Sequence, residues 1–558
     1  MIDTLWARWE RQATAQPAAD AVISWCADAE PVRFTWERLL SAARGAAAGL
    51  ADLGVRRGDV CGLMMRHTPL FYPLYMGISA LGGIPSVLAY PNARLHKDKF
   101  IHGLVGMAKR SGLRWLLTER DLESTVRPLV TVTESTVEGL LFPREIDLDI
   151  RRTVEIEVSP DGVCLLQHSS GTTGLQKAVA LSHRAVLEHV ARYGAAIGLR
   201  AEDRVASWLP LYHDMGLIAA FHLPLASGIP AVQIDPFEWV SAPRLLLDVI
   251  AREKSTLCWL PNFAYNLLAT RLREDDAEGI DLSSLRMLIN CSEPVRADSH
   301  EKFVERFASH GLDARALGAC YAMAEATFAV TQTVPGQAAH VLYADRAALS
   351  EGRYQPSESR EGARACVSSG RVLSGCDVRV VSPSGEPLPD GHVGEIEIRS
   401  VSMFEGYRND EAATHEVLRA GSYASGDYGF RLAGEHYVIG RRKDIIIVAG
   451  KNLYPEDIED AVGQVPGVIA GRVVALGQDD AALGTEIVMV IAETTVERAE
   501  EKALKLAILK AGMAIDVTIA RVYLAPPRWL IKSSSGKPSR RANKDRLGEL
   551  MQLEARSA

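Results

Sequence analysis

The sequence predicts an α/β protein with a large N-terminal domain of parallel-type sheets and flanking helices, a β-barrel-like subdomain, and a small α+β C-terminal domain. Short apolar runs alternate with helical stretches along most of the 558 residues, which is typical of parallel sheets covered by helices. From about residue 365 the pattern changes to period-two alternation with Pro and Gly turns, which predicts antiparallel strands. We expect the large domain to cover residues 1–439 and the small domain residues 440–558.

The N-terminal part begins with a helical pattern. Residues 36–53 are rich in Ala and Leu, and Gly54 gives a stop signal. The apolar run 60–65 predicts a strand. The uncharged segment 70–90 has the length of a membrane span, but two prolines and a glycine pair interrupt it, so we predict a buried helix, a turn and a strand. Further strands, each followed by a turn and a helical stretch, are predicted at 163–167, 205–209, 257–260 and 285–289.

The C-terminal module has its own alternation of strands and helices. A charged amphipathic helix is predicted at 498–513, and a short helix at 455–465. Strands are predicted at 445–450, 471–477 and 486–493. This set is enough for a compact domain that folds separately from the rest of the chain.

Composition and charge argue against several classes of function. A formal net charge of -8 lacks the positive field that nucleic-acid phosphates require. The eight cysteines contain no C-x-x-C pair, which favours buried thiols in a reducing compartment over disulfides or a zinc site. Charges interrupt the first twelve residues, where a signal peptide would be apolar, so we expect a cytoplasmic protein.

The most informative segment is 165–183, LLQHSSGTTGLQKAVALSH, in which a strand runs into a Ser/Thr/Gly loop. Glycines let the backbone approach phosphate oxygens, hydroxyls and N–H groups donate to them, and a lysine adds charge. The Walker A pattern cannot be laid over this loop, and a Ser/Thr/Gly loop by itself is about as often a flexible turn. The candidate phosphate ligands are Ser169, Ser170, Gly171, Thr172, Thr173, Gly174 and Lys177.

This loop resembles the phosphate-binding loop of the superfamily that includes acyl-CoA synthetases, nonribosomal peptide adenylation domains and firefly luciferase. Further segments match that superfamily in the same order, and they extend nearly to the end of the chain. The ordered set implies an enzyme that uses ATP and Mg²⁺ to convert a carboxylic acid into an acyl-adenylate. The matching segments are WLPLYHDMG at 208–216, NCSEP at 290–294, YAMAEAT at 321–327, the block from SGDYGF at 425–430 through GRRKD at 440–444 to YPEDIE at 454–459, and SSSGK at 533–537.

The resemblance implies a role for each matching residue. Glu325 would hold Mg²⁺, a hard cation that prefers carboxylate oxygens, with Thr172 adding a hydroxyl contact. Asp427 would accept hydrogen bonds from both ribose hydroxyls, and Arg441 would lie beside the ribose and phosphates. His213 would lie next to the carboxylate pocket. The adenine would be framed by residues of two loops, namely Ser292, Glu293, Pro294, Tyr321, Ala322 and Met323.

Lys537 is the residue that we expect to be catalytic. Attack of a carboxylate on the α-phosphorus brings two anions together, and a lysine between them cancels repulsion that grows in the transition state. The resemblance also implies a hinge at Lys443 between the two domains. Taken singly, these residues have ordinary alternatives: a structural histidine at 213, a solvated basic tail at 532–546, or the S-x-x-K pattern of serine hydrolases at 534–537, although the companion motifs S-D-N and K-T-G are absent.

Within the superfamily the chain most resembles the fatty acyl-AMP ligases, which pass the acyl group to the phosphopantetheine of an acyl carrier protein. The segments 209–216, 324–327 and 451–459 carry this resemblance. The polar stretch 334–369 lies where those ligases have an insertion thought to hinder coenzyme A binding, although a solvent loop would have a similar composition. A ligase that uses free coenzyme A is the alternative. Apolar candidates for the acyl pocket suggest a fatty acid: Trp208, Met215, Trp259, Phe263 and Met323.

Some positions depart from the superfamily pattern. Gln176 and Ala178 flank the loop lysine where Pro and Gly are usual, Ala322 replaces a glycine, and Cys291-Ser292 replaces a Gly-Ala pair. The extra methyl at position 178 or 322 narrows the approach of the backbone to phosphate or adenine. Because no charged group is lost, we expect an active enzyme. A non-catalytic nucleotide-binding scaffold is the remaining alternative.

Overall fold

The structure, a computed structural model, describes residues 3–27, 29–91, 97–150, 152, 157–168, 177–449, 451–480, 485–532 and 538–557. These divide into two compact units, each with its own sheets and helices. The first unit comprises residues 1–339, 370–377 and 399–421, and the second comprises 340–369, 378–398 and 422–558. The predicted division into domains 1–439 and 440–558 stays a prediction.

Sheet A of the first unit is built around parallel strands. Its strand order is β17-β14-β13-β12-β11-β9-β10-β1-β2. The strands are β1 (Asp20–Cys26), β2 (Ala29–Thr35), β9 (Val205–Ser207), β10 (Ala231–Ile234), β11 (Leu257–Leu260), β12 (Met287–Asn290), β13 (Leu317–Ala322), β14 (Ala329–Gln332) and β17 (Arg371–Val372).

Sheet B has the order β20-β8-β7-β4-β3-β5-β6. Strands β7, β4, β3, β5 and β6 run parallel, while β8 is antiparallel to both β7 and β20. The strands are β3 (Val60–Met64), β4 (Ile84–Val87), β5 (Leu113–Thr118), β6 (Gly139–Leu141), β7 (Val163–His168), β8 (Ala178–Ser182) and β20 (Gly406–Tyr407).

Helices accompany both sheets, as expected for sheets whose strands are buried on two faces. Helix α2 packs against α3 so closely that a Cβ on Gly77 would lie 2.8 Å from the Cβ of Ala46. The unit also contains a π-helix, Met215–His222, and the short strand β21 (Leu418–Arg419). The helices are α1 (Leu5–Ala15), α2 (Trp36–Asp52), α3 (Phe71–Ala80), α4 (Lys97–Ser111), α5 (Glu123–Val126), α6 (Pro128–Thr131), α7 (His183–Ala196), α8 (Leu223–Ser227), α9 (Pro236–Ser241), α10 (Arg244–Glu253), α11 (Asn262–Arg271), α12 (Ala297–Phe307) and α14 (Glu411–Val417).

The second unit combines antiparallel strands with the C-terminal α/β module. The antiparallel strands are β15 (Val341–Ala344), β16 (Arg364–Val367), β18 (Cys376–Val381), β19 (Gly394–Ser400), β22 (Ser422–Leu432) and β23 (Glu435–Arg441), with helix α13 (Arg346–Ser350). The C-terminal module contains β24 (Ile446–Val448), β25 (Lys451–Leu453), α15 (Pro455–Gly463), β26 (Val468–Asp480), β27 (Thr485–Thr494), α16 (Glu501–Met513), β28 (Ile519–Ala525) and α17 (Arg540–Ser557).

Most predicted elements are confirmed. Segment 70–90 is helix α3, a glycine turn and strand β4, and none of the described helices combines the length and apolar composition that a bilayer span needs. The polar stretch 334–369 is not a plain solvent loop, because β15 and β16 pair within it. Arg346 and Arg364 of this stretch both form ion pairs with Asp457 of α15, at 3.4 and 3.1 Å.

Other predictions were wrong in detail. Strand β7 is followed by a second strand, β8, rather than by a helix, because the fully buried run at 178–182 pairs back onto β7. The strand predicted at 285–289 begins at Met287, because Leu285 closes a turn with its N–H on the carbonyl of Leu282. Cys26 is exposed rather than buried. Strand β28 and helix α17 were not predicted.

Candidate functional site

The motif segments follow the carboxyl ends of neighbouring parallel strands in sheet A. Strand β12 pairs in parallel with β13 and with β11, and β11 pairs in parallel with β9. Carboxyl ends of parallel strands meet at one edge of a sheet, where ligands of α/β proteins bind. Segments 208–216, 291–294 and 321–327 therefore lie along a single edge of this sheet.

His213 is held by its chain neighbour. Its Nδ1 lies 2.6 Å from Oδ1 of Asp214, which also accepts the N–H of Met215 at 2.8 Å. Only about a fifth of the His213 side chain is exposed. The N–H of Met215 also lies 3.3 Å from this Nδ1, so two chain neighbours contact the same ring nitrogen. The ring therefore has a fixed orientation at the sheet edge.

The loop after β12 contacts the loop after β9. Ser292 has a φ of 69°, a backbone conformation that is strained for a residue other than glycine and that clusters at functional sites. Its hydroxyl lies 3.8 Å from Sδ of Met215. The carboxylate of Glu293 accepts the N–H of Phe263, at the start of α11, at 3.0 Å, while Pro294 is exposed. The side chain of Glu293 thus anchors this loop to the start of α11.

Aromatic side chains cluster beside these loops. The indole rings of Trp208 and Trp239 stack with centroids 3.7 Å apart, and the ring of Phe263 meets both edge-on. Phe263 is 38% exposed. Trp259 is fully buried and donates its N–H to the hydroxyl of Tyr193 at 2.8 Å. Of these rings, that of Phe263 is the one that is exposed to solvent.

The segment after β13 carries Glu325 at a strained turn. Tyr321, Ala322 and Met323 are half-buried at the end of the strand, whereas Glu325 is only 7% exposed. Thr327 has a φ of 69° and donates its hydroxyl proton to the carbonyl of Ser402 at 2.7 Å. Such strain costs about 1–3 kcal/mol and persists only where the surroundings hold it.

A buried tyrosine connects Glu325 to the loop lysine. The hydroxyl of Tyr407 donates to Oε1 of Glu325 at 2.7 Å, and the ammonium of Lys177 lies 4.4 Å from the centroid of the Tyr407 ring. Lys177 and Glu325, which the resemblance assigned to phosphate and metal, therefore share one neighbour. Sequence reasoning missed Tyr407, because a Gly-Tyr pair between two loops carries no signal for a contact with residue 325.

Several predicted site residues lie outside the described residues. These are the loop residues Ser169, Ser170, Gly171, Thr172, Thr173 and Gly174, together with Lys537. The described part of the chain supplies the strands that bound the loop, because β7 ends at His168 and β8 starts at Ala178. The roles of these residues stay predictions.

Two further predicted ligands meet within the second unit. Asp427 on β22 pairs in register with Arg441 on β23, and Oδ1 of Asp427 lies 3.0 Å from Nε of Arg441. The N–H of Asp427 donates to the hydroxyl of Ser425 at 3.0 Å. Asp427 is 9% exposed, whereas nearly half of the Arg441 side chain is exposed. The carboxylate is thus fixed beside a guanidinium that reaches solvent.

We expect Asp427→Asn to raise the KM for ATP by about tenfold or more, because the amide loses the charge-assisted hydrogen bonds that a carboxylate accepts. The melting temperature should change little, since an ion pair with a half-exposed arginine contributes only about 0–1 kcal/mol. Initial rates at varied ATP measure the effect. Asp390→Asn, which breaks a surface pair with Arg431 in the same unit, is the control, and an unchanged KM for Asp427→Asn would rule out the ribose role.

The comparisons with known proteins agree with one another. Residues 9–408 match the model of a family described as AMP-binding enzyme. The medium-chain-fatty-acid–[acyl-carrier-protein] ligase JamA of Moorena producens is 33% identical over 422 residues, which cover 72% of this chain and 70% of that protein. The long-chain-fatty-acid–AMP ligase FadD26 of Mycobacterium marinum is 28% identical over 567 residues, covering 96% and 95%. A solved structure from a study of fatty acyl-adenylate ligases of E. coli and L. pneumophila has a TM-score of 0.89 at 25% identity, over 99% of this chain and 98% of that chain.

Proposed function

This chain belongs to the AMP-binding enzyme family, and from that premise we propose that it activates a fatty acid with ATP. The acid becomes an acyl-adenylate with release of pyrophosphate, and the phosphopantetheine thiol of an acyl carrier protein then takes the acyl group with release of AMP. The observation that carries this proposal is the contact of Glu325 and Lys177 with one buried tyrosine. It brings a predicted metal ligand and a predicted phosphate ligand, 148 positions apart in the sequence (325 − 177), to one place.

Glu325 suits Mg²⁺. Its carboxylate is buried and fixed at one oxygen by a tyrosine hydroxyl, and within the described ranges no three His, Cys, Asp or Glu side chains group as a metal cage. Mg²⁺ is usually bound through one or two carboxylates together with substrate phosphates and water. When bound, the cation would neutralise charge on the phosphates of ATP. Glu325 and Thr172 are the residues that we propose as its protein ligands.

The chain's own residues then have distinct tasks. The loop 169–174 and Lys177 bind the phosphates, and Asp427 and Arg441 bind the ribose. His213, oriented by Asp214 at 2.6 Å, is the residue that we assign to the place where the carboxylate of the acid meets the α-phosphorus. The acid is already ionised near neutral pH, so no general base is required, and the cation of Lys537 offsets the repulsion between the two anions.

The acceptor is proposed to be a carrier protein rather than free coenzyme A. The names of JamA and FadD26 support this, since one is an acyl-carrier-protein ligase and the other an AMP ligase. The stretch 334–369 gives further support, because it holds paired strands whose Arg346 and Arg364 are tied to Asp457. Such an ordered segment suits the insertion that the fatty acyl-AMP ligases carry. A coenzyme A ligase is the second candidate function.

One experiment separates these acceptors. Pure protein is incubated with ATP, Mg²⁺ and a panel of fatty acids, and then with either coenzyme A or a phosphopantetheinylated carrier protein, while mass spectrometry follows each acyl product. We expect acyl-adenylate that moves to the carrier protein alone, and the preferred acid reveals the chain length. Efficient formation of acyl-CoA would contradict the carrier-protein assignment and leave adenylation intact. An absence of adenylate with every acid would contradict the proposed substrate class.

A further inference from the structure

We propose that Tyr407 is a positioning residue that sets the carboxylate of Glu325 for Mg²⁺ and the ammonium of Lys177 for the ATP phosphates. The inference rests on the proposed function, but it concerns a residue that none of the sequence motifs included. It is carried by contacts within the first unit. Tyr407 is 6% exposed, and its side chain lies between the two charged groups.

Each contact of Tyr407 has a separate chemical consequence. The hydroxyl donates to Oε1 of Glu325 at 2.7 Å, which fixes the rotation of the carboxylate. Groups that orient a metal ligand in this way typically affect metal affinity or activity by about 10–100-fold when they are removed. The ring face attracts the Lys177 ammonium, whose nitrogen lies 4.4 Å from the centroid, within the range of a cation–π interaction.

Strand pairing, backbone hydrogen bonds and a ring contact fix the position of Tyr407. Strand β20 pairs with β8, so that Tyr407 lies opposite Val179, two residues after Lys177. The N–H of Tyr407 donates to the hydroxyl of Thr414 at 2.9 Å, and the N–H of Phe404 donates to the backbone carbonyl of Glu325 at 2.8 Å. The ring of Phe404 meets that of Tyr407 edge-on at 5.0 Å. Tyr407 therefore joins the carboxyl edge of sheet B to the Glu325 segment at the edge of sheet A.

A binding measurement tests this role without knowledge of the acid. The affinity for ATP is measured calorimetrically over a range of Mg²⁺ concentrations, for the wild type and for Tyr407→Phe, which removes only the hydroxyl. We expect Mg²⁺ to tighten ATP binding in the wild type. In the phenylalanine variant, the factor by which Mg²⁺ increases ATP affinity should be about tenfold smaller. Binding of ATP without Mg²⁺ should be unchanged, since the ring remains over Lys177. In Tyr407→Leu the Mg²⁺-free affinity should fall as well.

Two further variants keep the test specific. Tyr437→Phe removes a hydroxyl that contacts His340 in the second unit at 2.9 Å, and it should leave the Mg²⁺ dependence unchanged. In Glu325→Gln, adding Tyr407→Phe should have little further effect, because residues that act through one carboxylate are not additive. An undiminished Mg²⁺ enhancement in Tyr407→Phe, or a full additional loss in the double variant, would overturn the positioning role. If the wild type itself bound no ATP, the proposed function would fail first.

Discussion

Replacement of Lys537 by alanine is expected to slow acyl-adenylate formation by about 10²–10³-fold, the range found when a group that stabilises transition-state charge is removed. The lysine is proposed to act on charge that develops during attack on the α-phosphorus. The turnover rate should therefore fall while the KM for ATP changes little, since an interaction made only in the transition state affects kcat. Pyrophosphate release with the preferred fatty acid measures this rate.

The second half-reaction provides the internal comparison. Synthetic acyl-adenylate supplied to Lys537→Ala should still acylate the carrier protein, because the bond to the α-phosphorus whose formation this lysine is proposed to assist is already present. Lys510→Ala, an exposed change on α16, is the matched control for removal of a positive charge from the same unit. Unchanged adenylation in Lys537→Ala would exclude the catalytic role, whereas equal loss of both half-reactions would point to a structural defect.

Arg540 anchors the start of helix α17 within the second unit. This residue, three positions after Lys537, forms ion pairs with Asp444, Glu456 and Glu459, each at 2.9 Å. The side chain of Arg540 is only 19% exposed, and the helix α17 begins with this residue. The interpretation of residues 532–546 as a solvated basic tail is therefore wrong at Arg540.

The sequence predicted elements whose pattern is local. Residues 36–53 and the interrupted segment 70–90 were predicted correctly, because helical periodicity and Pro or Gly breaks are read over a few turns. Helix α17 was missed because its mean hydropathy is low and its residues are mostly charged or polar. Strand β8 was missed because the apolar segment 178–182 does not show by itself that it pairs with β7. That pairing brings together residues on either side of the intervening loop.

The candidate site shows the same division between local and long-range information. The resemblance assigned the ordered motifs around His213, Ser292 and Glu325 to one site, and the parallel strands place the loops that carry them at one edge of sheet A. The contact of Tyr407 with Glu325 spans 82 residues, and no periodicity encodes it. The strained φ at Ser292 and Thr327 also depends on the folded surroundings, since neither residue type predicts that conformation.

The first unit is expected to unfold in mild acid, with a steep fall in stability between pH 6.5 and about 5. Burial lowers the pKa of histidines in this unit from 6.5 to about 4 or about 3, so these side chains remain neutral when the protein is folded. An unfolded histidine binds a proton below pH 6.5 and the folded one does not, so the unfolded state gains free energy as the pH falls. Among the described residues, the histidines with pKa values lowered to about 4 are His67, His168, His183 and His300, and those lowered to about 3 are His189 and His222.

The size of the effect follows from the shifts. Below pH 6.5 each such histidine lowers the free energy of unfolding by about 1.36 kcal/mol per pH unit. At pH 5 the loss is therefore roughly 2 kcal/mol for each histidine. Together they approach the whole stability of a typical domain, about 5–15 kcal/mol. Burial raises the pKa of Glu459 against the opposing effect of Arg540. This shift acts in the opposite direction, but Glu459 belongs to the second unit.

Urea unfolding followed by tryptophan fluorescence at a series of pH values measures this dependence, since every tryptophan except Trp529 lies in the first unit. His183→Asn removes one titrating group and should reduce the pH dependence of the unfolding free energy by up to about one proton. The variant should still fold, because the amide oxygen of asparagine can replace the ring nitrogen of His183 that accepts the N–H of Leu5 at 3.1 Å. His102→Asn, at an exposed position of α4, should leave the slope unchanged. A free energy of unfolding that stays constant from pH 7 to 5 would mean that these histidines are already protonated in the folded protein, or that water reaches them.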